Sequence, residues 1–230
     1  MYPLKFEDIL RPMIWGGEEI SRFKQLPEVH PGIGESWEIS QVGERVSVVS
    51  EGEDKGKTIT ELIKRDGANL LGKHVAARYA DKFPLLIKFI DAHDNLSIQV
   101  HPNDELAMAR HNSFGKTEMW YVIDAKPGAG LYSGFSKQIT PAEYVERIKN
   151  NTITDVLQFH EVKSGDVFFL PAGRIHAICE GILIAEIMIV EMRRAMPESC
   201  ISSSLSMQSI LKCMIIYEPI MRLKITMLSV

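Results

Sequence analysis

Short apolar runs, separated by glycines and prolines, recur along most of the chain. Runs of this kind, bounded by turn-forming residues, are typical of short β-strands. They lie at residues 33–42, 46–49, 83–90, 96–100, 119–123 and 167–170. Many short strands with turns between them predict a mainly β fold, either a sandwich or a barrel.

Two longer intervals, 58–80 and 140–151, carry apolar residues at helical spacing instead. The second opens with Thr140 as a predicted N-cap, Pro141 at the first helical position and Glu143 three residues after the cap. We therefore expect helical insertions in a mostly β body.

Composition narrows the class of protein. The 230 residues are 45% hydrophobic, enough to bury a core, and carry a net charge of −4. This charge gives no electrostatic footprint for nucleic acid, and no stretch approaches the roughly 20 apolar residues of a membrane span. The N-terminal sequence lacks the plan of a signal peptide, and the three cysteines lack zinc-knuckle spacing. We expect a cytoplasmic protein that binds neither nucleic acid nor membrane.

The stretch "GDVFFLPAGRIHAI", residues 165–178, places a histidine just after a tight turn. Its apolar run 167–170 reads as a buried strand, and Pro171 and Gly173 belong to the turn that follows. His176 then enters the next apolar strand. Two interpretations stay open, a core histidine with local partners or a ligand that points into a cavity.

A second group of polar residues lies in "NLSIQVHP" and "GKTEMWYV". Because side chains alternate along a strand, Ser97, Gln99 and His101 share one face. Lys116 and Glu118 directly precede or begin another β-forming run. An ordinary half-exposed strand and a solvated carboxylate also fit these patterns.

Considered together, four of these residues form a ligand set. Gln99, His101, Glu118 and His176 supply an amide oxygen, a carboxylate and two imidazoles, which suits a divalent ion such as Zn²⁺ and leaves room for substrate or water. The Gly, Pro, Gly and His spacing over 165–176 matches the second signature of the cupin barrels. Gln99 and His101, with the later Glu118, resemble the first signature with Gln in place of a His.

From Met1 to Ile187 the chain resembles the type I mannose-6-phosphate isomerases (phosphomannose isomerases) in their shorter bacterial form. Five blocks carry the resemblance in order: "GESWEIS" (34–40), "PLLIKFIDAHDNLSIQVHPND" (84–104), "GKTEMWYV" (115–122), "GLYSGF" (130–135) and "GDVFFLPAGRIHAI" (165–178). The resemblance implies a catalytic cupin (jelly-roll) barrel over residues 1–187, with the helical insertions described above. It also implies a sugar-phosphate substrate, the interconversion of mannose 6-phosphate and fructose 6-phosphate.

The resemblance also assigns roles to single residues. It implies one zinc ion per chain, a catalytic Lys116, and substrate-binding Ser97 and Lys88. The implied zinc ligands are Gln99, His101, Glu118 and His176. These types suit the chemistry, because moving a proton between C1 and C2 passes through an enediolate whose negative charge a metal stabilises. Lysines can neutralise a phosphate or carry protons, although a lysine beside strands is often only a solvated surface residue.

The likeness ends at Ile187. The residues from 188 to 230 hold 7 of the 11 methionines and contain no Gly, Asp, His, Phe or Trp. Permitted codons shifted by one base yield a sequence that again resembles the family's continuation. We therefore expect residues 188–230 to be out of frame, and the family's active-site arginine segment and C-terminal β-domain to be missing. Sequencing of the coding DNA tests this, because a frame that a one-base shift fails to restore contradicts it.

Three functions remain open from the sequence. The first is a zinc-dependent isomerase whose activity the altered C-terminus impairs. The second is a non-catalytic cupin that binds metal and sugar phosphate. The third, a metal-dependent oxygenase, fits less well because Gln99 takes a place that such sites leave to a histidine, a carboxylate or oxygen. The oligomeric state does not follow from the sequence.

Overall fold

A computed structural model of the chain describes residues 2–112 and 115–189. Strands dominate it, which confirms the predicted mainly β fold with helical insertions. In chain order the strands are β1 (Ile9–Gly17), β2 (Ile33–Ile39), β3 (Gln41–Val42), β4 (Arg45–Val46), β5 (Leu85–Ala92), β6 (Glu118–Ala125), β7 (Gly130–Phe135), β8 (Leu157–Glu161), β9 (Val167–Leu170), β10 (His176–Ile178) and β11 (Ile182–Ile189).

Helices occupy the connections between strands. They are α1 (Glu19–Phe23), α2 (Ile59–Asp66), α3 (Ala68–Leu71), α4 (Lys73–Tyr79), α5 (Asp104–His111) and α6 (Pro141–Lys149), and a 3₁₀ turn follows at Ile153–Val156. No helix in the described ranges is long and apolar enough to cross a membrane.

The strands form two main antiparallel sheets. The larger has the order β1-β2-β5-β11-β6-β9, and the smaller has the order β10-β7-β8. β11 lies at the centre of the larger sheet, since it pairs with β5 on one side and β6 on the other. A separate two-stranded ribbon joins β3 and β4.

The main core lies between the two sheets. Its buried members include Ile90, Val122 and Ile184 from the larger sheet, and they pack with Leu131 and Ile178 from the smaller one. Burial of apolar side chains from both sheets holds the sheets face to face, because each would otherwise expose an apolar surface to water. Several polar side chains are also buried between the sheets.

The helix predictions are confirmed in position, with one difference in detail. α6 begins at Pro141, where the side chain of Thr140 accepts a hydrogen bond from the backbone N–H of Glu143. The interval 58–80 forms three short helices rather than one. Gly67 and Gly72 separate them with φ angles of +47° and +81°, values that end a right-handed helix.

The predicted strand at residues 96–100 is wrong as a regular strand. The segment is extended, but its backbone bonds to β10 join only Leu96 to Ile178 and Gln99 to His176. A continuous ladder needs a bond pair at every second residue, so this segment runs along the edge of the smaller sheet without joining it. It nevertheless brings Gln99 directly beside His176.

The predicted boundary after Ile187 falls near the end of the described chain. Met188 and Ile189 are the last two residues of β11 and pair across to β5. The rest of the segment for which an altered reading frame is predicted, residues 190–230, lies outside the described residues.

Candidate metal centre

The candidate site begins with a row of side chains on the inner face of the larger sheet. Glu118 is the first residue of β6, and Trp120 follows two residues later on the same face. In the register of the sheet, Trp120 lies opposite Glu186 of β11, which lies opposite Lys88 of β5. All four side chains are buried. The interior therefore encloses charged groups as well as apolar ones.

His176 approaches this row from the smaller sheet. It is the first residue of β10, and its backbone exchanges two hydrogen bonds with Gln99 at 2.9 and 3.0 Å. The Nδ1 atom of its ring lies 2.8 Å from the carbonyl oxygen of Arg174. A ring nitrogen held by a backbone carbonyl leaves the other nitrogen, Nε2, free to act as a ligand.

Three side chains converge at this point. Nε2 of His101 lies 3.4 Å from Oε1 of Glu118, and Nε2 of His176 lies 3.5 Å from Oε2 of the same carboxylate. Tetrahedral zinc with bonds of about 2.0–2.1 Å places neighbouring ligand atoms ~3.3 Å apart. All three ligand atoms lie within 4.8 Å of one another. The spacing therefore fits a small divalent cation.

The buried polar atoms of these residues support the same interpretation. Nε2 of His101 and both carboxylate oxygens of Glu118 are buried without a hydrogen bond of good geometry to any described residue. Lys116 makes an ion pair at 2.5 Å from Oε1 of Glu118, although its geometry is not that of a hydrogen bond. Buried polar atoms without hydrogen bonds are costly, so a cation bound by His101 and Glu118 would reduce that cost.

The protonation states favour metal binding. Burial opposes ionisation of Glu118, but His101 and the Lys116 ammonium outweigh it and hold the pKa of the carboxyl at about 2. Burial lowers the pKa of His176 below its ordinary value. A carboxylate and a neutral imidazole are the forms that bind a metal, so both groups are ready near neutral pH.

Gln99 and Ser97 lie at the edge of this cluster. The side-chain nitrogen of Gln99 donates a 3.2 Å hydrogen bond to Oγ of Ser97, which is exposed. This bond uses the amide nitrogen, so the amide oxygen, which is the atom that zinc would bind, has no hydrogen-bond partner among the described residues. Gln99 as a fourth ligand and Ser97 as a substrate contact stay predictions.

Lys88 is held by two carboxylates inside the sheet. Its ammonium lies 3.0 Å from Glu35 and 2.9 Å from Glu186, and its residue is 8% exposed. Burial alone would lower the pKa of Lys88, but Glu186 and Glu35 outweigh it and raise the pKa to about 12. Arg11 pairs with the other oxygen of Glu35 at 2.8 Å. The charge of Lys88 is therefore already balanced within the chain.

The Lys88 network reaches the candidate metal ligands through an indole. Nε1 of Trp120 donates a 2.8 Å hydrogen bond to Glu186, and its ring meets the His176 ring edge-on at 5.3 Å between centroids. Sequence reasoning missed Glu35, Trp120 and Glu186. A lone Glu or Lys inside the apolar runs "ILIAEIMI" and "LLIKFI" was the available signal, because a charge is buried only when it is paired.

A cavity of about 490 Å³ opens beside His101. Its wall combines the end of the 96–101 segment, the start and one face of α5, and the turn before β10. The lining residues are Val100, His101, Pro102, Asn103, Leu106, Arg110, His111, Ala172 and Gly173. The cavity is large enough for a small polar metabolite and shares His101 with the three-ligand cluster.

Comparisons with known proteins agree with this geometry. The family model of the type I phosphomannose isomerase catalytic domain matches residues 4–129. The mannose-6-phosphate isomerase ManA of Bacillus subtilis (strain 168) is 37% identical over 187 residues, which are 80% of this chain and 56% of that protein. This chain therefore spans little more than half the length of that curated relative.

Solved structures share the fold. The crystal structure of the mannose 6-phosphate isomerase from Bacillus subtilis superposes with a TM-score of 0.74 at 30% identity, over 84% of this chain and 60% of that one. A zinc-bound mannose 6-phosphate isomerase superposes with a TM-score of 0.63 at 16% identity, over 81% and 68% of the two chains. These likenesses agree with the predicted cupin barrel.

Proposed function

The chain belongs to the type I phosphomannose isomerase family, and from this premise we propose that it interconverts mannose 6-phosphate and fructose 6-phosphate with a bound zinc ion, one per chain. The observation that carries the proposal is the convergence of His101, Glu118 and His176. Two imidazoles and a carboxylate converge there, and His101 and Glu118 bury polar atoms that have no hydrogen bond, which supports a metal-assisted reaction rather than a purely structural role.

Three residues would hold the zinc ion, and a fourth stands beside them. His101, Glu118 and His176 provide two nitrogens and one oxygen, a donor set that zinc accepts in catalytic sites with one position open. Gln99, beside His176 on the edge of the smaller sheet, is the proposed fourth protein ligand. When bound, the ion would polarise the sugar carbonyl and stabilise negative charge on the oxygens at C1 and C2.

Lys116 is the proposed proton carrier. Its ammonium lies 2.5 Å from Oε1 of Glu118, so a sugar that brings C1 and C2 beside this carboxylate also brings them within reach of Lys116. The reaction removes a proton from one carbon and returns it to the next, so Lys116 can serve both steps if it enters the reaction as the neutral amine, which takes the proton from one carbon to become the ammonium and then gives it to the other. The Lys116 side chain is 25% exposed, which allows it to exchange protons with solvent between turnovers.

Ser97 and Lys88 are both proposed to act in substrate binding, but their positions in the structure support different roles. The Ser97 hydroxyl is exposed next to Gln99, where it can donate to a hydroxyl of the sugar. Lys88 lies behind the metal ligands and is paired with Glu35 and Glu186. We therefore propose that Lys88 contributes to the substrate site through Glu186 and Trp120, whose ring contacts His176, and not as the group that neutralises the phosphate.

The test is a coupled assay of mannose 6-phosphate conversion by the full chain with added zinc. We expect turnover by the wild type, and a loss of at least about a hundredfold in His101→Ala and His176→Ala because the developing charge loses its electrophile. His74→Ala, which removes an exposed histidine of α4, is the matched control and should keep wild-type activity. Undiminished turnover by His176→Ala would contradict the proposal.

A second candidate function is a non-catalytic protein that binds metal and sugar phosphate. The observation that favours it is that Lys88 and Lys116 are both paired with carboxylates, so neither ammonium is free to act on a sugar. The same assay separates the two functions. A wild-type chain that binds zinc and mannose 6-phosphate without converting the sugar would establish the binding module and exclude the isomerase.

A further inference from the structure

The wall of the cavity beyond His101 carries positive charge without negative charge. Its lining includes the guanidinium of Arg110 and the imidazole of His111, together with the amide of Asn103, and contains no Asp or Glu. Apart from His101, the remaining lining residues are apolar or glycine. A concave site with one cation, several hydrogen-bond donors and no carboxylate is complementary to an anion.

The start of α5 is held against the segment that leads to Glu118. The side chain of Asn103 caps the helix by accepting from the backbone N–H of Leu106 at 3.0 Å. Gly115 packs closely against the same end of the helix, since a Cβ on Gly115 would come within 2.5 Å of backbone atoms of Asn103 and Asp104. The backbone N–H of Lys116 also donates to the carbonyl of Pro102 at 3.1 Å. The helix and the strand with Glu118 are thus joined at their bases.

Arg110 is a cation on the wall of this cavity that no described residue pairs. Within residues 2–112 and 115–189, its guanidinium makes no ion pair or hydrogen bond, and the side chain is exposed to the cavity and solvent. Lys88 and Lys116, by contrast, are each paired with a carboxylate at 3.0 Å or less. An added anion at either lysine would compete with an existing partner, whereas an anion at Arg110 would not.

We propose that Arg110, assisted by His111, binds the phosphate group of the sugar phosphate, with the C1–C2 end of the sugar directed toward His101. The inference rests on the proposed function for the substrate, and it adds the residue that recognises the phosphate. The phosphate of an open-chain hexose 6-phosphate lies at the opposite end from C1. One cavity that has His101 on one side and Arg110 on another matches this arrangement.

The guanidinium is suited to this task because its planar fork donates two parallel hydrogen bonds to phosphate oxygens. The carbonyls at the C-terminal end of α5 oppose an anion there, but a charge-assisted bidentate contact is the stronger of the two effects. Recognition at Arg110 would select phosphorylated sugars over free ones without any part in the proton transfer.

The test compares Arg110→Ala with wild type by calorimetric titration of the zinc-supplemented full chain with mannose 6-phosphate, free mannose and inorganic phosphate. We expect the dissociation constant for mannose 6-phosphate to rise at least about tenfold, and for inorganic phosphate to rise in parallel. Binding of free mannose should stay unchanged. The dissociation constant of Arg110→Lys for mannose 6-phosphate should lie between those of wild type and Arg110→Ala, because lysine keeps the positive charge but lacks the planar guanidinium that donates two parallel hydrogen bonds.

Arg22→Ala is the matched control, since it removes one exposed arginine from α1, where Arg22 pairs with Glu18 and Glu19. It should bind all three compounds like wild type. Circular dichroism should give the same helix signal for both alanine variants.

The outcomes separate this inference from the proposed function. Turnover by wild type with equal mannose 6-phosphate affinity in Arg110→Ala would overturn the phosphate site and leave the isomerase standing. Binding that depends on Arg110 without turnover would leave the phosphate site standing and overturn the isomerase. A wild-type chain that binds neither mannose 6-phosphate nor inorganic phosphate would overturn both.

Discussion

Lys88 carries a positive charge into the interior of the chain, and Glu35 and Glu186 compensate it. Removing water from an ammonium costs several kcal/mol, and only close, hydrogen-bonded carboxylates offset that cost. Glu186 also accepts a hydrogen bond from Trp120, whose ring packs against His176. One carboxylate therefore stabilises both the buried lysine and the orientation of a candidate metal ligand.

Glu186→Ala should destabilise the chain by about 3 kcal/mol or more, because it leaves a buried ammonium with half its compensation and removes the partner of Trp120. Urea unfolding at neutral pH measures this. Glu51→Ala breaks the exposed pair with Lys5, whose side chains are 59% and 57% exposed, and should cost less than about 1 kcal/mol. Equal losses in the two variants would contradict the role of the Lys88 network.

Glu35 should make the free energy of unfolding depend on pH in the acidic range. Burial opposes its ionisation, but Lys88, Trp37 and Arg11 outweigh burial and lower the pKa of Glu35 below its ordinary value. A carboxyl with a lowered folded pKa contributes stability that is present above its unfolded pKa of about 4.3 and is lost as the pH falls through the folded pKa. The urea concentration at the unfolding midpoint of wild type should therefore decrease as the pH is lowered below about 4.5.

Glu35→Gln tests this assignment. The variant should be less stable at pH 7, and its urea midpoint should fall less steeply than that of wild type between about pH 4.5 and pH 3. Glu51→Gln, at an exposed position, should follow the wild-type profile. A wild-type acid slope retained in full by Glu35→Gln would show that other carboxyls carry it.

Among the elements, α6 shows how local signals specify a helix. Thr140 caps it, Pro141 fits the first helical position, and Glu143 and Arg147 pair at 2.9 Å one turn apart. None of its residues is fully buried, so local interactions contribute a large share of its stability. These signals are contiguous in the sequence, which is why the helix was predictable.

Thr140→Ala should reduce the free energy of unfolding by about 1 kcal/mol, because the first turn loses the acceptor for the Glu143 N–H. Thr152→Ala is the matched control. Thr152 precedes the 3₁₀ turn at Ile153–Val156 without a side-chain cap bond, so its loss should change stability by less than about 0.5 kcal/mol. Urea unfolding of both variants checks the difference, and equal effects would contradict the capping role.

Other elements escape sequence reasoning for physical reasons. α5 buries only Ala107, so no apolar stripe marks it as a helix. β1 contains Pro12 and the fully exposed Ile14, and its pairing with β2 shifts register twice, so neither alternation nor a continuous apolar run is visible. Such elements are defined by the neighbours they pack against, and those neighbours are distant in the chain.

At the level of the whole molecule, the predicted ligands were visible because each follows a local signal. His176 comes after the turn with Pro171 and Gly173, and Glu118 begins a strongly β-forming run. The Lys88 and Glu186 pair was not visible, because it depends on the register of β5 against β11, and these strands are separated by nearly half the chain. Local patterns thus predict which residues can take part in a site, while the register between strands determines which of their side chains are in contact.

The two sheets together create the site, since neither holds all three candidate ligands. Glu118 belongs to the larger sheet and His176 to the smaller, and His101 follows the extended segment at the smaller sheet's edge. A cation bound between them would link the sheets and should stabilise the folded chain by mass action. The central claim is therefore that these three side chains bind zinc.

Zinc affinity tests this claim most directly. The full chain, titrated with zinc against a chelating competitor, should bind about one equivalent, and His101→Ala and His176→Ala should each bind at least about tenfold more weakly. His74→Ala should bind like wild type because this histidine lies on the exposed surface of α4. Equal affinity in all four proteins, or a wild-type chain that binds no zinc, would contradict the account.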